Sequence, residues 1–141
     1  MSLRKLFGII ALIAAVAVPV WAQQAVSEED YDGAMKAIRA TQQGVGDHLE
    51  AQSATDVGAD GAKFVAEFTK VEAFWSARNE APALELATKA LQAARTFQEA
   101  GAAGDFDAAT AAFGEIRGTC MPCHQQYRER TENGYRIKQG S

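Results

Sequence analysis

Residues 105–134 read DFDAATAAFGEIRGTCMPCHQQYRERTENG, and the fold class turns on this stretch. Phe106, Ala109, Phe113, Ile116, Cys120, Cys123 and Tyr127 recur at alternating steps of three and four. That spacing gathers side chains on one face of an α-helix. Asp105 can cap the start, and Asn133-Gly134 offers a stop. The spacing therefore predicts one long helix from Asp105 to Glu132, with both cysteines on its inward stripe and the residues after Gly134 as a surface extension.

Three earlier segments show the same period. The first opens at Ser27, a capping residue, followed by Glu28, Glu29 and Asp30, whose charges suit a helix N-terminus. Its stripe is Tyr31, Met35, Ile38, Gln42, Val45 and Leu49, in which Gln42 is a polar interruption. The second follows a polar stretch from Ser53 to Gly61 and carries Phe64, Phe68, Val71 and Trp75. The third starts near Pro82, a favourable first-turn residue, carries Leu84, Ala87, Leu91, Ala94 and Phe97, and ends at Gly101-Ala102-Ala103-Gly104. Runs of alternating β-branched residues are absent, so no strands are expected. Four amphipathic helices with short connections predict an all-α, up-down-up-down four-helix bundle.

The N-terminal residues precede this pattern and differ from it. Arg4 and Lys5 lead into an apolar stretch from Leu6 to Val20, and Val20-Trp21-Ala22 fits the small-x-small cleavage rule. Residues 1–22 read as a signal peptide that is removed, leaving residues 23–141 as one domain. No later segment resembles a membrane-spanning helix. Loss of Arg4 and Lys5 takes the formal charge from −4 to −6, which gives no electrostatic reason to bind nucleic acid or an anionic membrane. The expected compartment is the periplasm, where two cysteines can persist as a disulfide.

Cys120 and Cys123 are the only cysteines, and His124 is one of two histidines. A disulfide-exchange motif belongs at the start of a helix in a βαβ unit, which this chain lacks. A zinc site needs two further ligands, and His48 with an acid is a poor supply. A disulfide between these neighbours closes a tiny loop and stabilises little. Cys-x-x-Cys-His is instead the attachment motif of c-type haem. Residues three and four apart share a helix face, so two thiols can bond the vinyl groups while His124 reaches the iron. One covalently bound haem c is expected. Nothing in the chain reads as an enzyme: there is no nucleophile with a paired base and no phosphate-cradling glycine loop.

From Ala109 to Arg128, ATAAFGEIRGTCMPCHQQYR, an Ala-rich, Phe-containing stretch leads into Cys-x-x-Cys-His-x-x-Tyr-Arg near the C-terminus. Here the chain resembles the class II cytochromes c, the group of cytochrome c′ and its low-spin relatives. The resemblance implies a four-helix bundle with the haem near one end and attached near the C-terminus of the fourth helix. It also implies that His124 is the proximal iron ligand and that Arg128 lies near the proximal face.

The class divides at the sixth iron position, which falls on the first helix. An apolar residue there leaves iron five-coordinate and open to NO or CO, whereas a methionine makes it six-coordinate. Ala34-Met35-Lys36-Ala37-Ile38 is similar to the Met-Lys stretch of the low-spin members, which implies Met35 as distal ligand. Counting along antiparallel helices agrees: Met35 lies eight residues after Ser27 and His124 eight before Glu132, both about 12 Å from one end of the bundle. His48 lies about 20 Å further along, out of reach of the same haem, and reads as a surface histidine. Many class members carry Arg one turn before the distal residue; this chain has Tyr31.

The resulting expectation is a periplasmic electron carrier that exchanges electrons with redox partner proteins, as a monomer or a homodimer. The other reading is a five-coordinate protein that binds NO or CO. Arg128, Arg130, Arg136 and Lys138 form a candidate docking patch.

Overall fold

The computed structural model describes residues 25–138. The expected leader, residues 1–22, lies outside the described residues. Four helices run in order: α1 Glu28–Glu50, α2 Ala54–Ala77, α3 Ala81–Ala103 and α4 Phe106–Tyr127. The connections are short enough to make successive helices antiparallel, and each holds one residue in the left-handed region: Gln52 (φ 50°), Asn79 (φ 55°) and Gly104 (φ 75°). The four-helix bundle expected from the period is the fold observed.

Local chemistry accounts for the helix ends. Ser27 caps α1: its hydroxyl accepts from the Asp30 N–H at 3.0 Å, and its own N–H donates to the Asp30 carboxylate at 3.3 Å. Ser53 caps α2, Pro82 sits in the first turn of α3, and Asp105 accepts from the Ala108 N–H at 3.0 Å to open α4. Pro122 lies inside α4 and has no N–H to give the carbonyl one turn earlier. That carbonyl belongs to Gly118, and both residues are exposed, so water can serve it.

Two features depart from the sequence expectation. The polar stretch Ser53–Gly61 is not a connector but the cap and first two turns of α2. Gly61 in this stretch and Gly101 in α3 serve packing: a Cβ on Gly61 would lie 2.5 Å from Gln98 Cα, and one on Gly101 would collide with Val57. Backbone approach of α2 and α3 at this level requires hydrogen in place of a side chain.

The second departure is at the C-terminus. The fourth helix stops at Tyr127, and Arg128 is already extended (φ −111°, ψ 134°). Arg128–Thr131 (β1) and Gly134–Ile137 (β2) form an antiparallel hairpin, with Arg128 opposite Ile137 and Arg130 opposite Tyr135. Asn133-Gly134 therefore belongs to a hairpin turn and not to a helix stop; Gly134 has φ 145°, a conformation that favours glycine. Ile137 is buried, the Lys138 N–H donates to the Tyr127 carbonyl at 2.9 Å, and the Lys138 ammonium donates to the Gln125 carbonyl at 2.8 Å. These contacts fold the expected surface extension back onto the end of α4.

Core packing is uneven around the bundle. Helices α2 and α3 share the most extensive seam, α3 also packs along α4, and α1 packs on α2. Phe64, Phe97 and Phe113 form one aromatic cluster, with centroids 5.7–6.2 Å apart. Tyr31, Phe74, Trp75 and Tyr127 form another, in which Tyr31 lies 4.3 Å from Phe74 and Trp75 4.9 Å from Tyr127. Each such contact adds roughly 0.5–1.5 kcal/mol beyond burial. Helices α1 and α4, by contrast, barely touch.

Candidate functional site

The gap between α1 and α4 is a cavity of about 810 Å³. Cofactor and ligand sites span roughly 300–1,000 Å³. Its apolar lining includes Ile38 from α1, Phe68 and Val71 from α2, and Ala87 and Ala90 from α3. Cys120, Cys123, His124 and Tyr127 reach it from α4, Met35 from α1, and Arg128, Tyr135 and Ile137 from the hairpin. The inward stripe of α4 thus packs as core as far as Ile116 and then opens onto the cavity at Cys120.

The sequence-derived site residues Met35, Cys120, Cys123, His124 and Arg128 all line this one cavity. The level-matching count is nevertheless corrected, because it took the fourth helix to Glu132 and the helix ends at Tyr127. His48 does not line the cavity. It is half-exposed, and its Nδ1 lies 2.6 Å from a carboxylate oxygen of Asp60, which is only 2 % exposed. Lys63 approaches the same carboxylate at 3.3 Å. The histidine read as a plain surface residue is therefore one partner of a buried acid joining α1 to α2.

Both thiols are unpaired and half-buried. Burial raises the Cys120 thiol pKa, and burial followed by the neighbouring Cys120 pushes Cys123 up to about 11. Burial, then the Arg128 charge, lowers the His124 pKa, which keeps the imidazole neutral with a lone pair free to bind a metal. Gln42, the polar break in the α1 stripe, points its amide at Cys120 Sγ from 3.8 Å.

Tyr127 closes one side of the site. Its hydroxyl donates to Glu80 Oε1 at 2.9 Å, across from the turn before α3, and burial followed by that bond pushes its pKa up to about 12. Tyr31, one turn before Met35, is held against Phe74, and burial raises its pKa. Both phenols stay protonated at neutral pH.

The sequence reading missed the hairpin wall, Arg39 on α1, and the Tyr127–Glu80 bond. Asn-Gly beside alternating Tyr135 and Ile137 was a hairpin signal. Nothing local marked Arg39 or Glu80 as neighbours of the site.

The donor set suits a haem: two free thiols and a neutral imidazole on one helix, a thioether on another, and an apolar chamber of cofactor size. A family model described as Cytochrome C′ matches residues 24–128. The chain belongs to the cytochrome c′ family. No curated protein and no solved structure matches it. Membership implies a haem c cofactor and a c-type cytochrome of electron transfer or gas binding. Cytochrome c′ proteins are typically periplasmic, and no helix among the described residues is long and apolar enough to cross a membrane. The family match ends where the hairpin begins, so most of the wall built by β1 and β2 lies beyond it.

Proposed function

We propose that this cytochrome c′ family protein is an exported electron carrier that holds one haem c covalently, and that His124 and Met35 would be the residues that bind its iron. The observation that carries this reading is the convergence of Met35 from α1 with Cys120, Cys123 and His124 from α4 on a single cavity. The bound haem supplies one-electron Fe(III)/Fe(II) chemistry. Cys120 and Cys123 would hold it through thioether links, and residues 1–22 would serve as the export leader. His124 presents a neutral imidazole, and Met35 a soft thioether that favours the reduced state and raises the potential. Ile38, Phe68, Val71, Ala87 and Ala90 exclude water, and Arg128 sets a fixed cation on the His124 side. With two protein ligands, little has to move when an electron enters or leaves.

The second reading is a five-coordinate protein that binds NO or CO, with Met35 as part of the distal wall. The apolar lining of the cavity favours it, because it would accept a small uncharged gas without cost. Two measurements separate these readings and test attachment. The denatured wild-type chain should carry the haem mass, and the Cys120→Ser/Cys123→Ser variant should not. The reduced wild-type spectrum should barely change with carbon monoxide, while Met35→Ala should bind the gas readily. Ready binding by the wild type would remove the Met35 assignment and establish the gas-binding reading.

A further inference from the structure

We infer that the mouth of the cavity is the docking face for a redox partner protein with an acidic surface. This rests on the electron-carrier reading and specifies the partner for that site.

The first observation is a local reversal of charge. The chain is acidic, with a formal charge of −4. Arg39 and Arg128 nevertheless line the cavity, and Arg117 lines an adjoining groove that shares Gln42 and Cys120 with it. None of these arginines has a carboxylate partner among the described residues. Arg128 lies 4.0 Å over the Tyr135 ring, and Arg117 lies 5.9 Å from the Phe113 ring. The acids on the same rim are engaged: Asp32 with Lys36 at 2.6 Å and Glu28 with Arg78 at 2.7 Å. Away from this face, Lys63, Lys70 and Lys89 each pair with an acid one turn away on their own helix. The mouth therefore carries uncompensated positive charge on an otherwise negative protein.

The second observation is independent of charge. Met121, 58 % exposed, and Tyr135, 51 % exposed, are the exposed large hydrophobic side chains among the described residues. Met121 lines the groove and Tyr135 lines the cavity. Water-facing Met and Tyr within a rim of Arg is the composition of a protein interface, since Tyr, Met and Arg are the residues enriched there. The charged rim would steer an acidic partner over the opening and speed its encounter, while a small contact area lets it leave. A second copy fits poorly: a two-fold pairing on this face would bring like arginines together.

The test is electron exchange of the holoprotein with two small probes, anionic hexacyanoferrate and cationic hexaammineruthenium, followed by stopped flow. Raising ionic strength from ~0.01 M to ~0.5 M shortens the screening length from about 30 Å to a few ångströms. The rate with the anion should fall about fivefold or more, and the rate with the cation should hold or rise. Arg39→Gln/Arg117→Gln should remove most of the anion's salt dependence, and Lys89→Gln, which lines neither the cavity nor the groove, should leave it intact. A rate with the anion that rises with salt, as the net charge alone would require, overturns the proposal. So does a falling rate that is untouched by the double arginine variant. A dimer in sedimentation that the double variant dissolves gives the face to a second copy and overturns it as well. Exchange with neither probe overturns the electron-carrier reading itself, and this proposal with it.

Discussion

The cavity exists because the bundle is tight on one side and open on the other, and Gly61 shows what holds the tight side. A methyl group added there would stand 2.5 Å from Gln98 Cα, 2.6 Å from its Cβ and 3.0 Å from its backbone nitrogen. Ordinary carbon contacts are about 3.5–4.0 Å, so α2 and α3 would have to separate by about 1 Å. Gln98 cannot swing away, because two of the three atoms met are backbone. Overpacking of this kind costs about 1–3 kcal/mol, against which alanine regains up to about 1 kcal/mol of helix propensity. The net expectation for Gly61→Ala is a loss of about 1–2 kcal/mol, or roughly 4–10 °C in Tm for a domain of this size. Gly46, in α1, meets nothing within 4 Å, so Gly46→Ala should gain about 0.5–1 kcal/mol. Urea and thermal unfolding of the holoprotein, followed by helical circular dichroism, would measure both. A Gly61→Ala protein as stable as Gly46→Ala would refute the close-approach argument.

Two further outcomes follow from polar contacts. The Asp60 hydrogen bond, and then the charges of Asp60, Asp56 and Asp47, raise the His48 pKa above its ordinary value. A raised histidine pKa means a stabilising contribution fully present below about pH 6.5 and lost as pH rises through the folded value. The difference in urea midpoint between wild type and His48→Gln should accordingly shrink from pH 6 towards the alkaline side; a difference independent of pH would contradict the pairing. Tyr127→Phe removes the hydroxyl that donates to Glu80 and should cost about 1 kcal/mol in the same assay while leaving covalent haem in place. An unchanged midpoint would mean that water replaces the bond without loss.

The elements that the sequence made legible are those fixed by neighbours in the chain. Ser27, Pro82, Gly104 and Asp105 mark helix ends through contacts a few residues away, and all four do so in the structure. Cys120, Cys123 and His124 share a face because of their spacing alone. What escaped the sequence depends on distant residues. Ser53 to Gly61 read as a polar stretch before the second helix, but Gly61 lies inside α2 where α3 presses on it, a fact held by Gln98. The end of α4 at Tyr127 depends on Tyr135 and Ile137 returning to pair with Arg130 and Arg128. The rim of Arg39, Arg117 and Arg128 arises only because α1 and α4 stand apart, and no single helix encodes that separation.

Electron paramagnetic resonance of the ferric holoprotein shows whether His124 and Met35 hold the same iron. The wild type should give a low-spin signal, converted to high-spin in Met35→Leu, which keeps the apolar volume but removes the sulfur. A high-spin signal in the wild type, or a low-spin signal that Met35→Leu leaves unchanged, would contradict it.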